Sequence, residues 1–122
     1  MDERRTLRVS EAVREELAEI VAFELDDPRL GDVNVTEVHV SPDGRYARVR
    51  IAARGTEREQ RESLEALEHA RHYLRHELGV RLSLRHIPEL HFEPDRHPDA
   101  ASRVEFLIKR AKKSRGQAEK QP

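Results

Sequence analysis

Three histidines, His69, His72 and His76, stand at i, i+3 and i+7, a spacing that lines them along one face of a helix. Imidazoles so placed are legitimate metal ligands. No acid apart from Glu65 or Glu68 stands where a further ligand would be needed, and no metal site is expected. Solvated histidines, or auxiliary cations partly protonated beside phosphate, account better for the row. Nucleophilic chemistry is no better supported: Ser63, Ser83 and Ser102 lack a local signature, no glycine-rich phosphate loop occurs, and the paired acids fall on exposed helix faces. The chain is therefore not expected to be an enzyme, and no cofactor is implied. What remains is arginine. Arg71, Arg75, Arg81 and Arg85 follow one another with Glu77 the only acid between them, and Arg45, Arg48 and Arg50 share a run free of acids. The planar guanidinium fork suits phosphate oxygens and base edges. The competing use of Arg71 and Arg75 is pairing with Glu68 or Glu77 on their own helix.

The elements that must position these side chains are organised around Leu64–Asp95. Leu64, Leu67, Leu74 and Leu78 recur with a helical period, and Leu90 and Phe92 then alternate with Glu89, His91 and Glu93 as in a strand. Gly79 could end the helix, or the helix could run through it to the i, i+4 pair Leu78 and Leu82; Pro88 ends it in either case. Thr56 and Glu59 form a capping-box pattern that starts this helical segment. Upstream, Val9, Val13, Leu17, Ile20 and Val21 make the apolar stripe of a first helix over about Thr6–Leu25, widened by Ala12 and Phe23 and stopped by Pro28. Residues 33–40 and 45–53 alternate as two strands joined by the turn Ser41-Pro42-Asp43-Gly44, so an antiparallel hairpin is predicted. The apolar phase slips between Val35 and Val38, which predicts a bulge. Tyr46, Arg48 and Arg50 point outward from the hairpin, and Ala47, Val49 and Ile51 inward. Phe23 and Phe92 match core positions. Tyr46 is the only aromatic beside the outward arginines, so no stacking platform is expected.

A chain of 122 residues supports one small domain, expected over residues 1–111. Its last part, from Ala100 to Ala111, has the pattern of a short helix, and residues 112–122, with Lys112 and Lys113, have no apolar content to repay ordering. All four lysines lie at this end, a distribution that a compositional bias of the genome would also produce. There is no cysteine, no apolar run of membrane-spanning length, and charge where a signal peptide needs an apolar core, so a soluble cytoplasmic protein is expected. Charged residues make up 39% of the chain yet sum to only −1. Residues 1–30 carry nine acids against five bases, whereas residues 103–115 carry six bases against Glu105, so the surface should be strongly dipolar. The element order α-β-β-α-(α)-β implies a two-layer α+β sandwich with helices on one face of a three-stranded sheet.

Four blocks in order carry a resemblance to a known family: DDPRL (26–30) closing the first helix, VTEVHVSPDGRYARVRI (35–51), LEHARHYLR (67–75) and LRHIPELHFEPD (84–95). Together they resemble the ribosome-binding factor A family over roughly residues 5–108. The resemblance implies a KH-like domain of the bacterial type II, with an interhelical kink at Ala70-Arg71-His72. It also implies a non-enzymatic role in maturing the small (30S) ribosomal subunit by binding its 16S ribosomal RNA, and a part in growth in the cold. Family members carry Ala-x-Gly at the kink; here the glycine is replaced by His72. No Gly-x-x-Gly phosphate clamp occurs anywhere, so RNA would be held by side chains, with Arg45, Arg48, Arg50, Arg71, Arg75, Arg81, Arg85, Lys112 and Lys113 as the expected surface. The implied partners are the small subunit and its RNA, with ribosomal proteins or other assembly factors besides, and a monomer is expected. The alternative is a protein-interaction module that uses the acidic first helix and no RNA.

Overall fold

The leucines that recur from Leu64 to Leu78 serve two helices, not one. The computed structural model describes residues 3–95, which form α1 (Glu3–Phe23), a single 3-10 turn (Pro28–Leu30), β1 (Val33–Val40), β2 (Tyr46–Ala53), α2 (Glu57–His69), α3 (Arg71–Arg81) and β3 (Glu89–Pro94). The sheet order is β1-β2-β3, with β1 antiparallel to β2 and β3 parallel to it. A parallel neighbour cannot be reached by a tight turn. α2 and α3 are the crossover that joins β2 to β3.

Leu67, Leu74 and Leu78 from the crossover are fully buried with Leu90 of β3, Val49 and Ile51 of β2, and Leu17 and Ile20 of α1. Each such side chain contributes about 1.5–3 kcal/mol by leaving water. α1 begins three residues before the expected start and ends at Phe23, two residues short of the expected end. Phe23 is not in the core: it is 55% exposed. The helix stops there, and Leu25, one step past the helical turn, packs against the core instead.

Local chemistry explains the boundaries. Thr56 Oγ accepts from the Glu59 N–H at 3.1 Å while Glu59 Oε1 accepts from the Thr56 N–H at 3.2 Å, which completes the capping box at α2. Asp27 caps the 3-10 turn and pairs with Arg29. In the hairpin, the Gly44 N–H donates to Ser41 O at 2.8 Å, and Gly44 takes a positive φ of 75°. The pairing of β1 and β2 shifts between Val35 and Glu37, which is the bulge the slipped apolar phase predicted. The bulged Thr36 turns its hydroxyl to Asp95 Oδ2 at 2.7 Å, just beyond β3. Buried Ser10 on α1 accepts the Val40 N–H at 2.9 Å and so fixes the helix against the end of β1.

The crossover bends at Ala70, which takes φ −87° and ψ 0° and sends its N–H to the carbonyls of Ala66 and Glu68. Among the described residues, no non-glycine residue has a positive φ, and His72 lies inside α3. The bend therefore needs no glycine at position 72. Gly79 does not end α3, which continues to Arg81. A β-carbon at Gly79 would lie 3.4 Å from Ile87 Cγ1, within ordinary contact. Since glycine in a helix interior costs about 0.5–1 kcal/mol relative to alanine, Gly79→Ala is expected to stabilise the chain by up to about 1 kcal/mol. A urea midpoint that falls instead would show that Ile87 cannot give way.

Candidate nucleic-acid interface

The structure divides the arginines among three surroundings. β2 presents Arg48 and Arg50 on the face of the sheet turned away from the helices, because alternate residues Ala47, Val49 and Ile51 are buried against them. There the two guanidinium groups meet acids. Glu93 Oε1 on β3 accepts from Arg48 Nη2 and from Arg50 Nε, both at 3.0 Å, and Arg50 Nη1 donates to Glu37 Oε2 on β1 at 3.0 Å. Register explains the meeting, since Arg50 sits opposite Glu93 on one side and Glu37 on the other. The Arg50 hydrogen bond, with help from Arg48, holds the Glu93 carboxyl below its ordinary range, and Glu93 in turn makes Arg50 harder to deprotonate. Such pairs are typically weak at an exposed surface.

Arg81, at the end of α3, turns instead to the seam with α1. It lies within ion-pair distance of Glu16 at 3.1 Å, Glu19 at 3.8 Å and Glu77 at 3.8 Å, and it also pairs with Glu24. One guanidinium faces four carboxylates, so this seam is net acidic and Arg81 is not available to a polyanion. Tyr73 lies beside the same group, with its hydroxyl 3.4 Å from Glu24. Partial burial, then Glu77 and Glu24, push the Tyr73 phenol up.

The remaining arginines gather near the end of the sheet where β2 and β3 begin. The Glu89 N–H donates to the Arg45 carbonyl at 2.7 Å, which brings the start of β2 against the start of β3. Arg75 reaches the same end, where its Nη2 and Nε donate to the Ile87 carbonyl at 3.0 and 3.3 Å. Three of its N–H groups stay unused by that contact. Arg85 is two residues before Ile87 and exposed. Arg71, one turn before Arg75 on α3, lies 3.5 Å from Glu68, a loose pair. Exposed His72 and His76 continue the acid-poor face of α3, since Glu77 turns towards Arg81.

The seven expected arginines of the described residues thus do not share one surface. Arg45, Arg71, Arg75 and Arg85 lie around α3 and the sheet end, Arg48 and Arg50 on the open sheet face, and Arg81 at the acidic seam. Lys112, Lys113 and the helix expected up to Ala111 lie outside the described residues. Sequence reasoning missed the second ring beside Tyr46: His91 on β3 lies with its centroid 5.7 Å away. Only strand register could have revealed it, because the two are 45 positions apart in the chain.

His69 ends α2 and is separated by the bend from His72 and His76 on α3. Among the described residues no three His, Cys, Asp or Glu side chains are placed to hold a metal ion. The Ser63 hydroxyl is engaged with the carbonyls of Arg29 and Glu59. No helix of the described residues is long and apolar enough to cross a membrane.

Comparison with known proteins agrees over nearly the whole chain. The sequence model of the family named ribosome-binding factor A matches residues 5–108. The ribosome-binding factor A of Solibacter usitatus is 62% identical over 119 residues, which cover 98% of this chain and 97% of that one. Among solved structures, the crystal structure of ribosome-binding factor A from Thermus thermophilus superposes with a TM-score of 0.68 at 32% identity, over 75% of this chain and 98% of that one. A homology model of the Thermus factor, fitted into a cryo-electron microscopy map of its complex with the 30S subunit, gives a TM-score of 0.61 at 34% identity over 74% and 94% of the two chains.

The Glu93 cluster gives a pH test. A carboxyl with a depressed folded pKa lends stability that is fully present above its unfolded value, about 4.3, and lost as pH falls through the folded one. Glu93→Gln is therefore expected to lower the urea midpoint at pH 7 and to approach the unmodified chain at pH 3. Midpoints offset equally at both pH values would assign the cost to something other than ionisation.

Proposed function

The chain belongs to the ribosome-binding factor A family, and on that premise we propose that it matures the small ribosomal subunit by occupying 16S ribosomal RNA, without catalysing a reaction. It acts as a monomer in the cytoplasm and matters most in the cold, where misfolded RNA escapes its traps slowly. The KH-like scaffold supports this reading, but the backbone clamp of ordinary KH domains is absent, since no Gly-x-x-Gly occurs in the chain. Affinity then comes from guanidinium groups on phosphates and from RNA shape.

One observation carries the proposal: Arg75 and Arg85 stand where α3 and the loop to β3 hold no acid turned towards them, with Arg71, loosely paired to Glu68, one turn before Arg75 and Arg45, beside Asp43, at the start of β2. Between Arg71 and Pro88 the only acid is Glu77, and it faces Arg81 and α1. Arg75 is braced by the Ile87 carbonyl, so less side-chain freedom is lost when its remaining N–H groups meet a phosphate. Arg48 and Arg50 contribute less, because each must first exchange a carboxylate for a phosphate. Lys112 and Lys113 add non-specific attraction.

Replacing Arg71 and Arg75 together by alanine is expected to weaken binding to purified small subunits and to precursor 16S RNA. The slope of log affinity against log salt should flatten by about 0.7–0.9 for each phosphate that is no longer neutralised. An unchanged slope would remove these two residues from the interface. Failure of the unmodified chain to co-sediment with small subunits at low salt would overturn the reading as a whole.

A further inference from the structure

Tyr46 and His91 form the one aromatic ring pair found among the described residues, and it lies in solvent. The ring planes are inclined by 47° with centroids 5.7 Å apart, and each side chain is about half exposed, 49% for Tyr46 and 50% for His91. Both project from the sheet face opposite the helices: Ala47 and Leu90, their neighbours along the strands, are buried on the other side. Tyr46 sits opposite Glu89 and His91 opposite Arg48, so the two rings meet on the diagonal of the β2–β3 ladder.

The position along the strand matters as much as the exposure. Tyr46 is the first residue of β2, immediately after Arg45, and β3 begins two residues after Ile87, whose carbonyl anchors Arg75. The rings therefore border the end of the sheet at which Arg45 and the Arg75–Ile87 contact lie. On the open face itself Arg48 and Arg50 are met by Glu93 and Glu37, and Glu89 stands 3.8 Å from His91. Two rings on a face whose arginines are already paired, at the end of the sheet where Arg45 and the Arg75–Ile87 contact lie, suit a ligand whose flat apolar part and anionic part are adjacent. A single-stranded nucleotide has that form.

We infer that Tyr46 and His91 seat one unpaired RNA base, a stacking contact additional to phosphate binding at Arg45 and Arg75. One ring takes the face of the base and the other closes its edge. The inference rests on the RNA-binding reading above and narrows its ligand: the segment held must include an unstacked base, so a continuous duplex cannot satisfy it.

The test separates stacking from charge. The full chain and its Tyr46→Phe, Tyr46→Leu and His91→Ala variants are titrated with single-stranded A10, single-stranded U10 and a ten-pair duplex at several salt concentrations. Tyr46→Leu keeps an apolar side chain of comparable bulk and removes the π-face, and urea unfolding checks that each variant is folded. Tyr46→Phe should bind like the unmodified chain. Tyr46→Leu should lose about ten-fold in affinity for A10, within the roughly 5- to 150-fold that one base stack is worth, with the salt slope unchanged. His91→Ala should lose less, A10 should bind more tightly than U10, and the duplex should be indifferent to all three changes. The chain has two tyrosines and no tryptophan, so Tyr73→Phe leaves Tyr46 as its one strong intrinsic fluorophore, and its emission should be quenched by A10 in proportion to binding. Equal A10 affinity for the unmodified chain and Tyr46→Leu would overturn the stack and leave the functional reading standing. Absence of any binding by the unmodified chain would overturn both.

Discussion

β3 lies parallel to β2 and directly beside it, and the rest of the architecture depends on that pairing. To arrive in this orientation the chain must travel back across the sheet, and the only covered route is over the inner face. A straight helix long enough for residues 57–81 would overshoot a sheet whose strands are at most eight residues long. The crossover therefore bends at Ala70, and both halves lay leucines on the sheet. α1 covers the area beside β1, where Ser10 accepts the Val40 N–H. With one face of the sheet fully covered, its other face stays open to solvent.

That asymmetry sorts the charges. A chain with 23 basic and 24 acidic side chains is nearly neutral as a whole, but neutrality is reached in separate places by separate means. On the open sheet face, acids and arginines alternate across strands and pair at about 3 Å. At the seam of α1 and α3, four carboxylates crowd one guanidinium. Removing Glu77 and Arg81 to that seam leaves α3's other flank with arginine and histidine and little to oppose them. Between Arg71 and Pro88 the one acid, Glu77, is thus engaged at the seam. Potentials of this kind act over about a Debye length, so the local arrangement, not the total, governs what the surface attracts.

Much of the fold could be read from short stretches. The capping box at Thr56, the turn at Pro42-Asp43-Gly44, the bulge signalled by Val35 and Val38, and the alternation in β2 are all decided by residues within a few positions of one another. The break at Ala70 was legible only through a family resemblance, and its geometry was not: a bridge-region backbone at the alanine makes the bend, with no special demand on His72. Phe23 misleads because its place on the helical wheel is apolar in pattern, while the helix ends before that place meets the core. Arginines were the least legible of all. Arg48 and Arg75 look alike in sequence, yet one is paired by a carboxylate 45 residues away and the other is braced by a carbonyl.

Sequence alone determined the membership of this chain in its family, the order of helices and strands up to β3, and the alternation that sends Arg48 and Arg50 to one side and Val49 to the other. These depend on local backbone preference and on periodic burial, and both are written into neighbouring residues. Tertiary structure decided which arginines are neutralised, which carboxylates turn away, and that His91 comes to rest beside Tyr46. Those outcomes depend on register between strands and on the seam between helices, where side chains far apart along the chain are brought within a few ångströms. Coulomb and stacking interactions fall off over such distances, so they are settled only once the backbone has closed.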